Sequence, residues 1–235
     1  MSSKSNSVVW SWRPHFFFLL LIALCVVQVR AQVVGDVLPP WTPGTMDIHQ
    51  ISTGRGNSAL FIFPDGTTML VDAGAQVGTN VRWVAPRPDG SRTPGEWIVR
   101  YVRQMLRHDS SLRLDYVLLT HFHSDHMGQV SENAKLSKSG QYKLTGITEV
   151  GENIPIGRLM DRGWPDYQYP APLEDQMIKN YRAFVKWQSE QNGMRVERFK
   201  PGRNDQIRLL RAPGQYSNFD VRNIMANGEV WTGVG

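Results

Sequence analysis

The sequence predicts an α/β fold, and three observations carry that reading. SALFIF and TTMLVD (58–63 and 67–72) are short runs of apolar and β-branched residues joined by a Pro64-Asp65-Gly66 turn, which reads as a hairpin. Thr93-Pro94-Gly95-Glu96 supplies an N-cap, a proline at the first helical position and a capping-box glutamate, and Trp97, Ile98, Tyr101, Val102, Met105 and Leu106 follow at helical spacing. LDYVLLT (114–120) is then almost wholly apolar, as a strand buried on both faces would be. Alternating strands and amphipathic helices make an α/β domain, and 235 residues with 41% hydrophobic and 20% charged content suffice for one sizeable core.

In chain order, residues 1–31 read as a secretory signal peptide. Lys4 and Arg13 precede the apolar run 16–27, and Val29-Arg30-Ala31 places small residues where a signal peptidase reads. The mature chain is then expected to be secreted or periplasmic, with no stable membrane association. Lys4, Arg13 and Arg30 leave with the signal, so the formal net charge falls from +5 to +2 and bulk charge argues little for nucleic acid. Cys25, the only cysteine, leaves as well, so disulfides, thiolate ligands and a cysteine nucleophile are excluded.

Residues 32–45 hold three prolines and read as a surface leader, and 46–235 as the domain. Within it, 46–52 is a strand before the hairpin, 75–92 is irregular and 94–108 is the first long helix. Residues 131–170 are polar and rich in Gly and Pro, a long excursion with room for short strands, of the kind that is often a functional rim or lid. A second helix spans 173–191 with Gly193 as its C-cap. Strands follow at 195–200 and 207–213, and 219–226 turns at Asn227-Gly228 into 229–233. The basic stretch 194–211 reads as a solvated face, diluted by Glu197 and Asp205, with tracking of phosphates as the functional alternative. Trp164, Tyr167 and Tyr169 read as packing onto the domain, with stacking on a substrate as the alternative.

HFHSDHMG, at the C-terminal end of the 114–120 strand, gathers three of the six histidines. His121, His123 and Asp125 alternate, and in extended chain alternate side chains project to one side; Gly128 lets the backbone turn so that His126 reaches a neighbouring point. Imidazole and carboxylate donors without thiols suit Zn²⁺ best, and Fe or Mn as well. His49, in an early strand, and His108, at a helix end, carry no such pattern. No other cofactor motif is present.

Preceded by SALFIFPDGTTMLVDAG and LDYVLLT, HFHSDHMG resembles the metallo-β-lactamase superfamily of metal-dependent hydrolases, well over 46–128 and more loosely to 235. The hairpin and IMANGEVWTG are similar to the branch containing hydrolase domains of bacterial competence proteins. The resemblance implies a four-layer αββα sandwich with two zinc ions at one edge, His121 and His123 on the first, Asp125 and His126 on the second, and Asp72 orienting the ligands. It implies hydrolysis of an ester, amide or phosphodiester in a small-molecule or nucleic-acid substrate by metal-activated hydroxide, with Asp125 also handling the proton. The family completes its site with later His and Asp ligands, yet no histidine follows His126, and Asp161, Asp166, Asp175, Asp205 and Asp220 lack the family setting. The expectation is therefore an N-terminal portion, inactive alone, of a sandwich completed beyond Gly235. A degenerate or non-catalytic metal- or nucleic-acid-binding member is the alternative.

Overall fold

Strands β1 (Asp47–Gln50), β2 (Ala59–Ile62) and β3 (Thr68–Val71) form an antiparallel meander, and β4 (Leu114–Leu119), β5 (Ile156–Asp161) and β6 (Arg195–Arg198) extend it in parallel, in the order β1 to β6. The structure, a computed structural model, describes residues 33–78, 84–109 and 111–234, so the signal-peptide reading of 1–31 lies outside the described residues. Four helices are described: α1 (Pro94–Met105), the single turn α2 (Ser124–Met127), α3 (Gly146–Asn153) and α4 (Gln176–Asn192). None is long and apolar enough to cross a membrane.

Alternation along the strands decides what covers each face. Leu60, Ile62, Leu70, Val117, Leu119 and Leu159 face the helices and meet Ile98 and Val102 of α1, Ile147 and Val150 of α3, and Ile178, Tyr181, Phe184 and Val185 of α4. Phe63, Met69, Tyr116 and Met160 point the other way and meet Ile207 and Leu209. As expected for a strand covered on both sides, five of the six β4 residues are buried.

The second face is covered by chain without a ladder. The segment 207–213, expected as a strand, gives its backbone N–H groups to side chains: Arg208 to the Tyr116 hydroxyl at 3.1 Å, Leu210 to Thr67 Oγ1 at 2.8 Å, and Arg211 and Ala212 to Asp65 Oδ2 at 2.8 and 3.0 Å. Ile207 and Leu209 are buried and Leu210 is exposed, as alternation along a strand would give, but the backbone donors are already used. Of the expected 219–233 hairpin, only β7 (Met225–Ala226) and β8 (Glu229–Val230) pair, around Asn227-Gly228. The basic stretch spends much of its charge locally: Arg198 lies beside Asp166, Arg203 pairs with Asp205, and Arg211 bridges Asp109 and Asp115.

The larger departure is at 131–170. In place of an irregular rim, this segment contributes α3 and β5, both central to the core. Residues 33–40 and 42–46 are exposed, and Trp41 between them packs against the helix-side core. The first long helix stops at Met105 rather than 108, and the second begins at Gln176, capped by Asp175 and closed by Gly193 at φ 67°.

The capping box of α1 forms as the sequence predicts, with Thr93 Oγ1 accepting from Glu96 N and Glu96 Oε2 from Thr93 N, both at 3.1 Å. The same hydroxyl donates to Glu149 Oε2 of α3 at 2.6 Å. Burial, reinforced by the charge of Glu96, raises the Glu149 carboxyl above the usual range, so that donor also joins two helices. Thr93→Ala is expected to cost about 2 kcal/mol in urea denaturation and Thr93→Ser a few tenths. Equal midpoints for wild type and Thr93→Ala would show the box to be idle.

Candidate metal centre

The C-terminal ends of β3 and β4 lie side by side in the parallel ladder, so whatever follows each strand shares one edge. Asp72 follows β3 with φ 58°, a left-handed conformation that Asp and Asn tolerate better than other side-chain-bearing residues. Its N–H continues the ladder to Leu118 O at 2.9 Å, and its carboxylate turns to β4. There Oδ1 accepts from Thr120 N and Oδ2 from Thr120 Oγ1, each at 2.8 Å, and Oδ2 also lies 2.7 Å from His126 Nδ1. With its side chain only 5% exposed, Asp72 is held as a fixed acceptor.

That contact sets the state of His126. The carboxylate accepts from Nδ1–H, which leaves the lone pair on Nε2, and Asn57 Nδ2 approaches Nε2 at 3.2 Å as a donor should. Asp125 Oδ2 lies 3.6 Å from the same nitrogen. The His121 and His126 rings are 3.8 Å apart between centroids, and His121 Nε2 lies 3.2 Å from His123 Nδ1. Burial first, then the neighbouring His126 and His123, lowers the His121 pKa below the usual imidazole range, which favours the neutral, ligating form.

His121, Asp125 and His126 each offer a ligand atom, and the three atoms lie within 4.8 Å of one another. Donors bonded at about 2.1 Å to one ion are at most about 4.2 Å apart, so small side-chain rotations close the set, and two imidazoles with a carboxylate are a donor set that zinc accepts. His123 stands outside this group of three, more exposed, but its hydrogen bond to His121 places it on the same side.

The route by which the ligands converge differs in one respect from the alternation read in the sequence. His123 is extended (φ −94°, ψ 158°), but the chain bends at 122–123 and 124–127 is the helical turn α2, so Asp125 and His126 arrive by rotation about a helix. The turn is seated by backbone contacts: Asn57 N donates to Asp125 O at 2.7 Å, Ala73 N to His126 O at 2.8 Å and Ala75 N to Ser124 O at 3.1 Å. Gly74 is required there, since a Cβ would collide with the Asp125 carbonyl. Gly128 ends the turn at φ 102°, where a Cβ would sit 2.8 Å from Gly146 N.

Two residues of the edge had no signal in the sequence. Asn57 lies 69 positions before His126, and Thr120 acts on Asp72 across 48. Trp164, Tyr167 and Tyr169 divide: Tyr167 is buried, Trp164 packs partly against the core, and Tyr169 is 48% exposed.

No curated protein matches the chain. The family described as the metallo-beta-lactamase superfamily matches residues 52–202, more than half of the chain, taking in β2 to β6 and every side chain of the edge described above. Since an α/β sheet bears this histidine and aspartate cluster at the strand ends within that match, the chain belongs to the metallo-beta-lactamase superfamily.

Proposed function

We propose that this edge binds divalent metal, zinc by its donor set, and that the protein is a hydrolase. Membership of a superfamily of metal-dependent hydrolases supports the general activity. The observation that carries the site is the convergence of His121, Asp125 and His126 with the remaining nitrogen of His126 fixed on Asp72. The partition we propose is that His121 and His123 would hold one ion and Asp125 and His126 a second; the close approach of His121 to Asp125 and His126 brings the two pairs to one edge. When bound, such ions act as Lewis acids and make hydroxide available near neutral pH. The protein's own contribution is to keep ligands ready: Thr120 locks Asp72, Asp72 locks the His126 tautomer, and Asn57 bounds His126 on its far side. To Asp125, whose side chain is 40% exposed, we also assign the role of receiving the proton from incoming water.

The substrate we propose is an ester, amide or phosphodiester of a small molecule or nucleic acid, met outside the cytoplasm after removal of residues 1–31. A second reading, metal binding without turnover, is favoured by one feature: no histidine follows His126 within the 235 residues. His121→Ala combined with His123→Ala is expected to abolish metal uptake, read as metal per chain by elemental analysis. Unchanged metal content overturns the site. Metal-loaded wild type that cleaves none of a panel of ester, amide and phosphodiester substrates selects the second reading.

A further inference from the structure

Asp161, the last residue of β5, is fully buried and has no part in the metal edge as described. Its carboxylate accepts four hydrogen bonds: Oδ1 from Gly163 N and Trp164 N, each at 2.7 Å, and Oδ2 from the hydroxyls of Tyr167 at 3.0 Å and Tyr181 at 2.8 Å. A buried carboxylate satisfied this completely holds its partners in one arrangement.

What those partners enclose is Phe122, the residue between His121 and His123. Its ring centroid is 5.7 Å from that of Tyr167 and 5.8 Å from that of Tyr181. The Arg162 guanidinium lies over its face at 4.8 Å, and a Cβ on Gly163 would come within 3.1 Å of the ring. Arg162 is itself held, donating to Tyr169 O at 2.9 Å while its carbonyl accepts from Asn227 Nδ2 at 2.8 Å. Three of the four groups around Phe122 thus belong to residues that Asp161 fixes directly.

Phe122 is 6% exposed, whereas His121 is half-buried and His123 exposed. Phe122 turns into the core while His121 Nε2 and His123 Nδ1 meet at 3.2 Å on the other side, so seating the Phe122 ring in this socket fixes the backbone from which both imidazoles reach the edge. We propose that Asp161, Tyr167 and Phe122 are positioning residues for the metal centre: the socket organised by Asp161 grips Phe122 and thereby sets the direction and spacing of His121 and His123. The inference rests on the metal-binding reading above and adds to it the part of the core that aims two of the ligands.

Cobalt(II) titration of the full chain tests it, with affinity and the visible ligand-field spectrum as readouts. Groups that orient ligands indirectly typically alter metal affinity about 10–100-fold, so Phe122→Ala is expected to bind cobalt at least about tenfold more weakly, with an altered spectrum. Phe122→Leu, which keeps most of the buried bulk, is expected to recover affinity to within about threefold of wild type, and Tyr167→Phe to fall between. Leu106→Ala is the control for mere destabilisation, a truncation of a buried side chain in the helix-side core just after α1. It is expected to lower the melting temperature and leave affinity and spectrum unchanged. Should Phe122→Ala not fold, Gly163→Ala, whose Cβ would press on the Phe122 and Tyr167 rings, replaces it with the same expectation. Wild-type affinity and spectrum in the folded socket variants, or equal weakening in Leu106→Ala, overturns the positioning role alone. A wild-type chain that binds no cobalt overturns this role and the metal-binding reading together.

Discussion

Asp72→Asn is expected to weaken zinc binding by about 10–100-fold while leaving the fold nearly as stable as wild type. Asparagine tolerates the left-handed backbone at φ 58° almost as well as aspartate, and its Oδ1 can still accept from Thr120 N. What it cannot do is accept on both sides. The amide group facing His126 becomes a donor, so the imidazole keeps its lone pair on Nδ1 and carries its proton on Nε2, the nitrogen that Asn57 and Asp125 approach. The ring stays in place with its ligating face switched off. Asp72→Ala should lose metal to a similar degree and also lower stability, by about 1–2 kcal/mol for the strained backbone and further for the Thr120 donors left without an acceptor. Zinc affinity by competition with a chromogenic chelator, alongside melting temperature of the metal-free proteins, separates the two effects. Wild-type affinity in Asp72→Asn would mean that His126 takes its tautomer from elsewhere.

The hairpin, the α1 cap and β4 were legible in the sequence because each rests on neighbouring residues: a Pro-Asp-Gly turn, a Thr-Pro-Gly-Glu start and an uninterrupted apolar run. The histidine and aspartate cluster was legible for the same reason, since His121, His123, Asp125 and His126 lie within six positions. α3 and β5 were hidden because tertiary partners satisfy their polar residues. The N-terminal box of α3 uses Thr145 with Thr148 where a Glu or Gln would have announced it, and the buried Glu149 is satisfied by Thr93 of α1. β5 carries Gly157 and Arg158, a broken apolar run, yet Arg158 reaches Glu197 and lies 5.6 Å from the centroid of the Tyr116 ring. The converse error occurred at 207–213, where apolar alternation suggested a strand but side chains had taken the backbone donors. Within the site, a pattern of types and spacing located the candidate cluster, whereas Asn57, Thr120 and the socket beneath Phe122 depend on contacts made after folding.

Asp161→Ala is expected to be the most damaging single change to stability, at about 3–5 kcal/mol, because it leaves two backbone N–H groups and two tyrosine hydroxyls without their acceptor. Asp161→Asn should cost far less, since its oxygen keeps the Gly163 and Trp164 bonds and both hydroxyls can rotate to accept from its amide. The two side chains also differ in their response to pH. Burial is the largest influence on the Asp161 carboxyl and raises its pKa above the ordinary range despite four opposing hydrogen bonds. A folded-state pKa above the unfolded value, about 3.9, means that the folded chain holds the proton more tightly. The stability this provides is complete below the unfolded pKa and is lost as pH rises toward the folded one. The asparagine variant does not titrate, so its melting temperature relative to wild type should rise with pH across that window and level off above it. Paired melts from about pH 3.5 to 7 measure the difference. A difference that stays flat would show the carboxyl to ionise at the same pH folded and unfolded, and a difference that falls with pH would show its four donors to outweigh burial.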